Sequence, residues 1–219
     1  MATIIGGIGT SHVPTIGIAF DKGKQDDPDW KPLFRGYEPV AKWLAEKKPD
    51  VLFFCFNDHA TTFFFDHYPT FALGVSDEYR IADEGLGARS ILRLKGHAPL
   101  PTPARCFKLG RFIKKTIESY PENLKVAMVG TGGLSHQMIG ERAGFNDEQW
   151  DLEFLDLIER DPERLASMSI EDFMRRGGNE GAEVIMWLIM RGALHERVKK
   201  VHQNYYLPMT TAMAVALFE

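Results

Sequence analysis

Val51-Leu52-Phe53-Phe54-Cys55-Phe56-Asn57-Asp58-His59 decides the fold. A short apolar run, preceded by Pro49-Asp50 and ended by three polar residues, predicts a strand buried on both faces of an α/β sheet. In open α/β sheets ligands bind beyond the carboxyl ends of the strands, so His59 is expected on a rim where chemistry takes place. Two other runs repeat the arrangement. Thr3 to Gly9 leads into Thr10-Ser11-His12, and Val126 to Val129 leads through Gly130-Thr131-Gly132-Gly133-Leu134 into Ser135-His136. Three strands thus each deliver one histidine to what reads as a common rim.

Outward from these runs the chain alternates strand and helix. Val13 to Gly17 reads as a rigid turn and Asp21 to Trp30 as a polar loop. Tyr37 to Lys47 forms an amphipathic helix with Val40, Trp43 and Leu44 on one face. It sits between the first two strands, a spacing that suits a parallel pair joined by a right-handed crossover. Thr70 to Val75 reads as a further strand, Ile91 to Leu94 as a short one, and Gly96 to Pro103 as a proline-punctuated surface crossing. Arg105 to Tyr120 is an amphipathic helix stopped by Pro121. Asn146 to Arg160 is another, capped by Asn146 or Asp147, its many carboxylates read as a solvated face. Ser169 opens a short helix. Asn179 to Met190 is apolar nearly all round beyond its first turn and is therefore expected inside the fold. The fold class is α/β, a central, mostly parallel sheet flanked by helices.

Composition narrows the function. The 219 residues, 44% hydrophobic and 26% charged, are those of a globular protein able to bury one sizeable core. A net charge of -4 leaves no basic footprint for nucleic acid. No apolar run is long enough to cross a bilayer, and the opening MATIIGG has no basic leader segment, so a cytoplasmic location is expected. Cys55 and Cys106, the only two cysteines, are expected as small buried hydrophobes in a reducing compartment. His67 and His97 fall outside the strand-end pattern and read as surface, core or loop residues.

Glu183 lies just inside the buried helix, where an unpaired carboxylate would be costly. It requires a cation, and two readings stay open: an ion pair with Arg191 or Arg142, or a metal. Two histidines and one carboxylate on one face of an ion, with the other positions open, is the ligand set of non-haem Fe(II) oxygenases, whereas structural zinc would call for a cysteine-rich set. Histidines after strands also serve zinc hydrolases, which would act with zinc and without oxygen.

Several stretches together resemble the class III extradiol ring-cleavage dioxygenases. They are Ser11-His12-Val13-Pro14, Asn57-Asp58-His59, Ala82-Asp83-Glu84-Gly85, Gly130 to Gln137, Glu180 to Leu188 followed by Arg191-Gly192-Ala193, and His202 to Thr211. The likeness runs from the first strand to the last residues and is strongest to the branch acting on protocatechuate and gallate. It implies that His12, His59 and Glu183 are iron ligands at the strand carboxyl ends, that His136 is an acid/base histidine beside them, and that Thr210 lies near the substrate carboxylate. The choice of Glu183 over Glu180 rests on this likeness. The implied activity is Fe(II)-dependent opening of a carboxylated catechol or pyrogallol with O2, the ring being cut beside the two hydroxyls.

One departure stands out. Between Lys95-Gly96-His97 and Arg105-Cys106-Phe107 the family carries a segment of several dozen residues with an active-site Asp-His-Gly histidine; here a short proline-rich bridge joins them. The expectation is one catalytic domain over 1–219, shortened around 98–104. The alternative function is an impaired family member that serves as a metal-binding or assembly subunit. Relatives imply a homodimer or a small second subunit, and Phe63-Phe64-Phe65 and the apolar tail Ala212 to Phe218 are candidates for an interface or for core.

Overall fold

A computed structural model describes residues 1–57, 69–75, 101–208 and 210–219. Met1–Asn57 with Thr102–Glu219 forms one compact unit and Asp58–Pro101 a second. The helices and strands of the described residues all lie in the first unit. In chain order they are β1 (Thr3–Thr10), α1 (Pro14–Asp21), α2 (Lys31–Lys47), β2 (Val51–Cys55), α3 (Pro103–Ser119), β3 (Lys125–Thr131), α4 (Glu148–Arg160), α5 (Pro162–Ser167) and α6 (Ile170–Gly177). A 3₁₀ turn (Gly181–Ile185) then leads into α7 (Met186–Ala193), β4 (Lys200–Tyr206) and β5 (Met213–Phe218).

The sheet order is β2-β3-β1-β5-β4. β2, β3 and β1 run parallel, while β5 is antiparallel to β1 and β4 antiparallel to β5. The pleat of β3 divides the core between two helical layers. Val126 and Met128 pack with Phe107 of α3, Phe154 of α4 and Trp187 of α7, and Ala127 and Val129 pack with Val40 and Trp43 of α2. α7 is buried along its whole length. It also sits directly on the sheet backbone: a Cβ on Gly9 would fall 2.3 Å from the Trp187 ring, and one on Gly130 would fall 2.8 Å from the Trp187 Cα. Glycine in both strands therefore lets the helix descend, and the 3₁₀ turn that precedes it arrives over the carboxyl ends of β1 and β3.

The α/β class and the mostly parallel centre agree with the sequence reading, as do the buried cysteines. Other expectations need correction. β2 is not buried on both faces: Val51, Leu52 and Phe54 are 38%, 41% and 53% exposed, and among the described residues β2 is the outer strand beside β3. With β3 between them, β1 and β2 are parallel without being neighbours. Pro14, expected in a turn, starts α1, its fixed φ suiting the first helical position. Pro69 to Val75 contain no strand. The tail is core rather than interface, since every residue of β5 is buried between β1 and β4. Phe63 to Phe65, His67, Ile91 to Leu94 and His97 lie outside the described residues.

Candidate functional site

β1 and β3 are paired so that Thr10 stands opposite Thr131, and their carboxyl ends open onto the same place. Past Thr10 the chain is pinned by Ser11, whose N–H donates to the Ala214 carbonyl at 2.9 Å and whose Oγ accepts from the Ala214 N–H at 3.0 Å. His12 follows directly. Its Nε2 lies 3.2 Å from Oε2 of Glu183, which the 3₁₀ turn brings in from the other side. The second carboxylate oxygen, Oε1, accepts the Gly133 N–H at 2.6 Å.

The neighbours decide the tautomer of His12. Thr131 Oγ1 donates its hydrogen to the Cys55 carbonyl at 3.2 Å, so towards His12 Nδ1, 2.8 Å away, it acts as acceptor. Nδ1 therefore carries a proton, and in the neutral ring Nε2 presents a lone pair. That lone pair faces a carboxylate oxygen. Two lone pairs at this distance repel unless His12 takes a second proton or a cation enters between them. Imidazole nitrogen and carboxylate oxygen are both ordinary donors to a divalent metal, so the pair fits such an ion. Burial pushes the Glu183 carboxyl upward, but the hydrogen bond and charge that a doubly protonated His12 supplies, the Gly133 N–H and the His136 ring together hold it below the usual carboxylate range. It is a carboxylate at neutral pH. Arg191 and Arg142, the alternative partners, are engaged elsewhere: Arg191 donates to the carbonyls of Ile158, Glu159, His195 and Glu196, and Arg142 to that of Arg175.

His136 stands across Gly133 from Glu183. A Cβ on Gly133 would lie 2.9 Å from His136 Cε1 and 3.3 Å from Glu183 Oε1, so a side chain there would wedge the two apart. The His136 ring is held by the main chain: Nδ1 is 2.8 Å from the Leu134 carbonyl, which can only accept. Nδ1 thus bears hydrogen and Nε2 is left as the base. The His136 N–H donates to Gly177 O at 2.8 Å, and its carbonyl accepts from Gly181 N–H at 3.2 Å. The adjoining Ser135 N–H and Oγ–H both donate to Asp151 at 2.7 Å, and Tyr205 Oη–H donates to the same carboxylate at 3.0 Å.

Of the residues singled out from sequence, His12 and Glu183 are in contact and His136 lies beside them. Thr210 is exposed, and the adjacent Thr211 forms a β-bridge with His136. His59 lies outside the described residues. Among the described residues no group of three or more His, Cys, Asp and Glu is close enough to hold an ion. Two contributors escaped the sequence reading. Thr131 is one hydroxyl among many at strand ends. Asp151 contradicts the solvated-face reading of α4, being fully buried. It falls in line with Phe154, Leu155 and Ile158 on the apolar stripe of that helix, and this spacing was the available signal.

A family model described as the catalytic LigB subunit of aromatic ring-opening dioxygenase matches residues 6–100 and 92–218. A gallate dioxygenase of Pseudomonas putida is 56% identical over 121 residues, which are 55% of this chain and 36% of that relative's length. Among the described residues no helix is long and apolar enough to cross a membrane.

Proposed function

We propose, from the premise that the chain belongs to the family of catalytic LigB subunits of aromatic ring-opening dioxygenases, that it performs Fe(II)-dependent extradiol cleavage of a carboxylated catechol or pyrogallol. Gallate and protocatechuate are the substrates to try first, gallate because a relative of that activity matches over half the chain. The observation that carries this reading is the His12 to Glu183 pair, a lone pair set against a carboxylate 3.2 Å away with its tautomer fixed by Thr131.

His12, Glu183 and His59 would hold the iron. When bound, the ion supplies a template and an electron route joining the catecholate oxygens to O2, two reactants that hardly react directly. The rest belongs to the side chains. His136, with Nδ1–H tied to the Leu134 carbonyl, offers Nε2 to a substrate hydroxyl, takes its proton, and holds that proton for return to an oxygen later in the reaction. Glu183 stays ionised throughout, so it does not compete for that proton. Thr210 would meet the acid group of the substrate. The reading treats 1–219 as one catalytic domain with a shortened middle, working as a homodimer or with a small second subunit.

Anaerobic loading with Fe(II), followed by oxygen uptake with gallate and with protocatechuate, tests it. Uptake matched by ring-opened product supports the assignment. Bound iron without uptake favours the alternative of an impaired assembly subunit, which the proline-rich bridge at 98–104 suggests. Turnover with zinc and no need of oxygen would indicate a hydrolase instead.

A further inference from the structure

The Leu134–Ser135 peptide group has a different partner on each side. Its N–H donates to Asp151 Oδ1 at 2.7 Å, and its carbonyl accepts from His136 Nδ1 at 2.8 Å. Because a peptide unit is planar and its two ends are conjugated, a carboxylate on the N–H side both fixes the plane and draws electron density toward the carbonyl oxygen. We propose that Asp151 is the positioning residue of His136, acting through the Leu134–Ser135 peptide to hold the ring in its Nδ1–H tautomer with Nε2 free. The inference rests on the reading of His136 as the proton-handling group.

The surroundings favour this over a merely packed carboxylate. Asp151 is fully buried, and its neighbours on the inner face of α4 are apolar. A buried carboxylate is costly unless its hydrogen bonds are met. Here three donors meet it, and two of the three come from Ser135, the residue before His136. The remaining polar groups of the turn are also fixed: Leu134 N–H donates to Ala212 O at 3.1 Å, Ser135 O accepts from Ala212 N–H at 3.1 Å, and Ser135 Oγ accepts from Asp147 N–H at 2.7 Å. The turn thus has little freedom to move the carbonyl that faces the ring, and Asp151 supplies the only charge bearing directly on that peptide among the described residues.

Asp151→Asn separates charge from shape. Its carbonyl can keep the Ser135 N–H, and its amide can face the two hydroxyls, which accept as well as donate. The ring nitrogens of His136, read by ¹⁵N NMR on metal-free protein, should show one Nδ1–H tautomer in the wild type and a tautomer mixture in Asp151→Asn. The Nδ1 proton resonance should move upfield. In iron-loaded protein kcat should fall about 10- to 100-fold with iron affinity unchanged. Tyr205→Phe, which removes one donor and leaves the carboxylate, should shift the same resonance less; it carries the decision if Asp151→Asn does not fold. Unchanged His136 resonances in folded Asp151→Asn, or in Tyr205→Phe where that variant decides, overturn the inference. Shifted resonances with undiminished turnover uphold the positioning role and remove His136 from the proton-handling role instead.

Discussion

His12 and His136 leave neighbouring parallel strands and carry a proton on the same ring nitrogen, yet they are held in different ways. His12 gives its Nδ1 proton to the hydroxyl of Thr131, a side chain that answers in turn to a carbonyl of β2. His136 gives its proton to the main chain two residues back. Their second ring nitrogens differ too. His12 Nε2 faces a carboxylate, whereas His136 is separated from that carboxylate by the bare backbone of Gly133. One ring is set against an anion. The other is locked by backbone and left with an unshared base. On the proposed function the first holds and the second handles protons, and the contrast can be broken from either side.

The largest effect is expected at the carboxylate. Glu183→Gln keeps an oxygen for the Gly133 N–H but loses the charge, and Fe(II) affinity measured by anaerobic titration should fall by more than about 100-fold, beyond the range typical of residues that only orient ligands. Retention of wild-type affinity would mean that the His12 to Glu183 pair is a proton-sharing ion pair and no metal site. At the second ring, His136→Phe keeps the ring volume and removes both nitrogens. Here kcat should fall about 10²- to 10⁴-fold while iron affinity stays the same. Equal loss of both would show that the two rings do not divide the work.

Asp151 extends the contrast to stability. Desolvation by burial pushes its carboxyl up to about 6 despite the hydrogen bonds from Ser135 and Tyr205. The folded-state value thus lies above the unfolded one of 3.8. A raised value means that the folded chain binds the proton more tightly. The stabilisation is complete below about pH 4 and is lost as the pH rises through about 6, a difference of about 3 kcal/mol. Denaturant unfolding of wild type and Asp151→Asn should therefore show the wild type losing about 3 kcal/mol relative to the variant between about pH 3 and 7, about 2 kcal/mol of it between about pH 4 and 6. Groups common to both proteins cancel in the difference. A flat difference would show that the buried carboxylate titrates normally.

How much of this could be read from the chain depends on whether the signal is local. β3 and α7 are legible because burial on all sides leaves a continuous apolar run. β2 gives the same run yet lies at the edge of the sheet among the described residues, since no local pattern encodes which strand becomes the neighbour of which. β4 has no local signal: Lys200 to Tyr206 is half-buried and polar, and its strand character comes from pairing with β5. Strand ends pointed to His12 and His136, and an out-of-place charge pointed to Glu183. The common rim of the histidines is legible from strand ends, and the approach of Glu183 only through the family likeness, because it depends on α7 lying against Gly9 and Gly130, which no local pattern encodes. Asp151 is legible by its spacing with Phe154, Leu155 and Ile158, a signal that the commoner pattern of an acidic helix face masks.

Thr131 gives the smallest and sharpest test of how His12 is held. Thr131→Val preserves the shape of the side chain and deletes the hydroxyl, leaving the His12 Nδ1–H and the Cys55 carbonyl without the bond that links them. The ring then loses the partner that decides which nitrogen carries the proton, and the proton can move to Nε2, where a cation would have to displace it. Iron affinity should drop about 10- to 100-fold, the range for residues that orient a ligand without touching the metal. Thr131→Ser restores the hydroxyl and should recover most of it. His136, held by backbone, should keep its ring resonances in both variants. A shift there of the same size as at His12 would show that the two strand ends are coupled and that the division between them is not built into the fold.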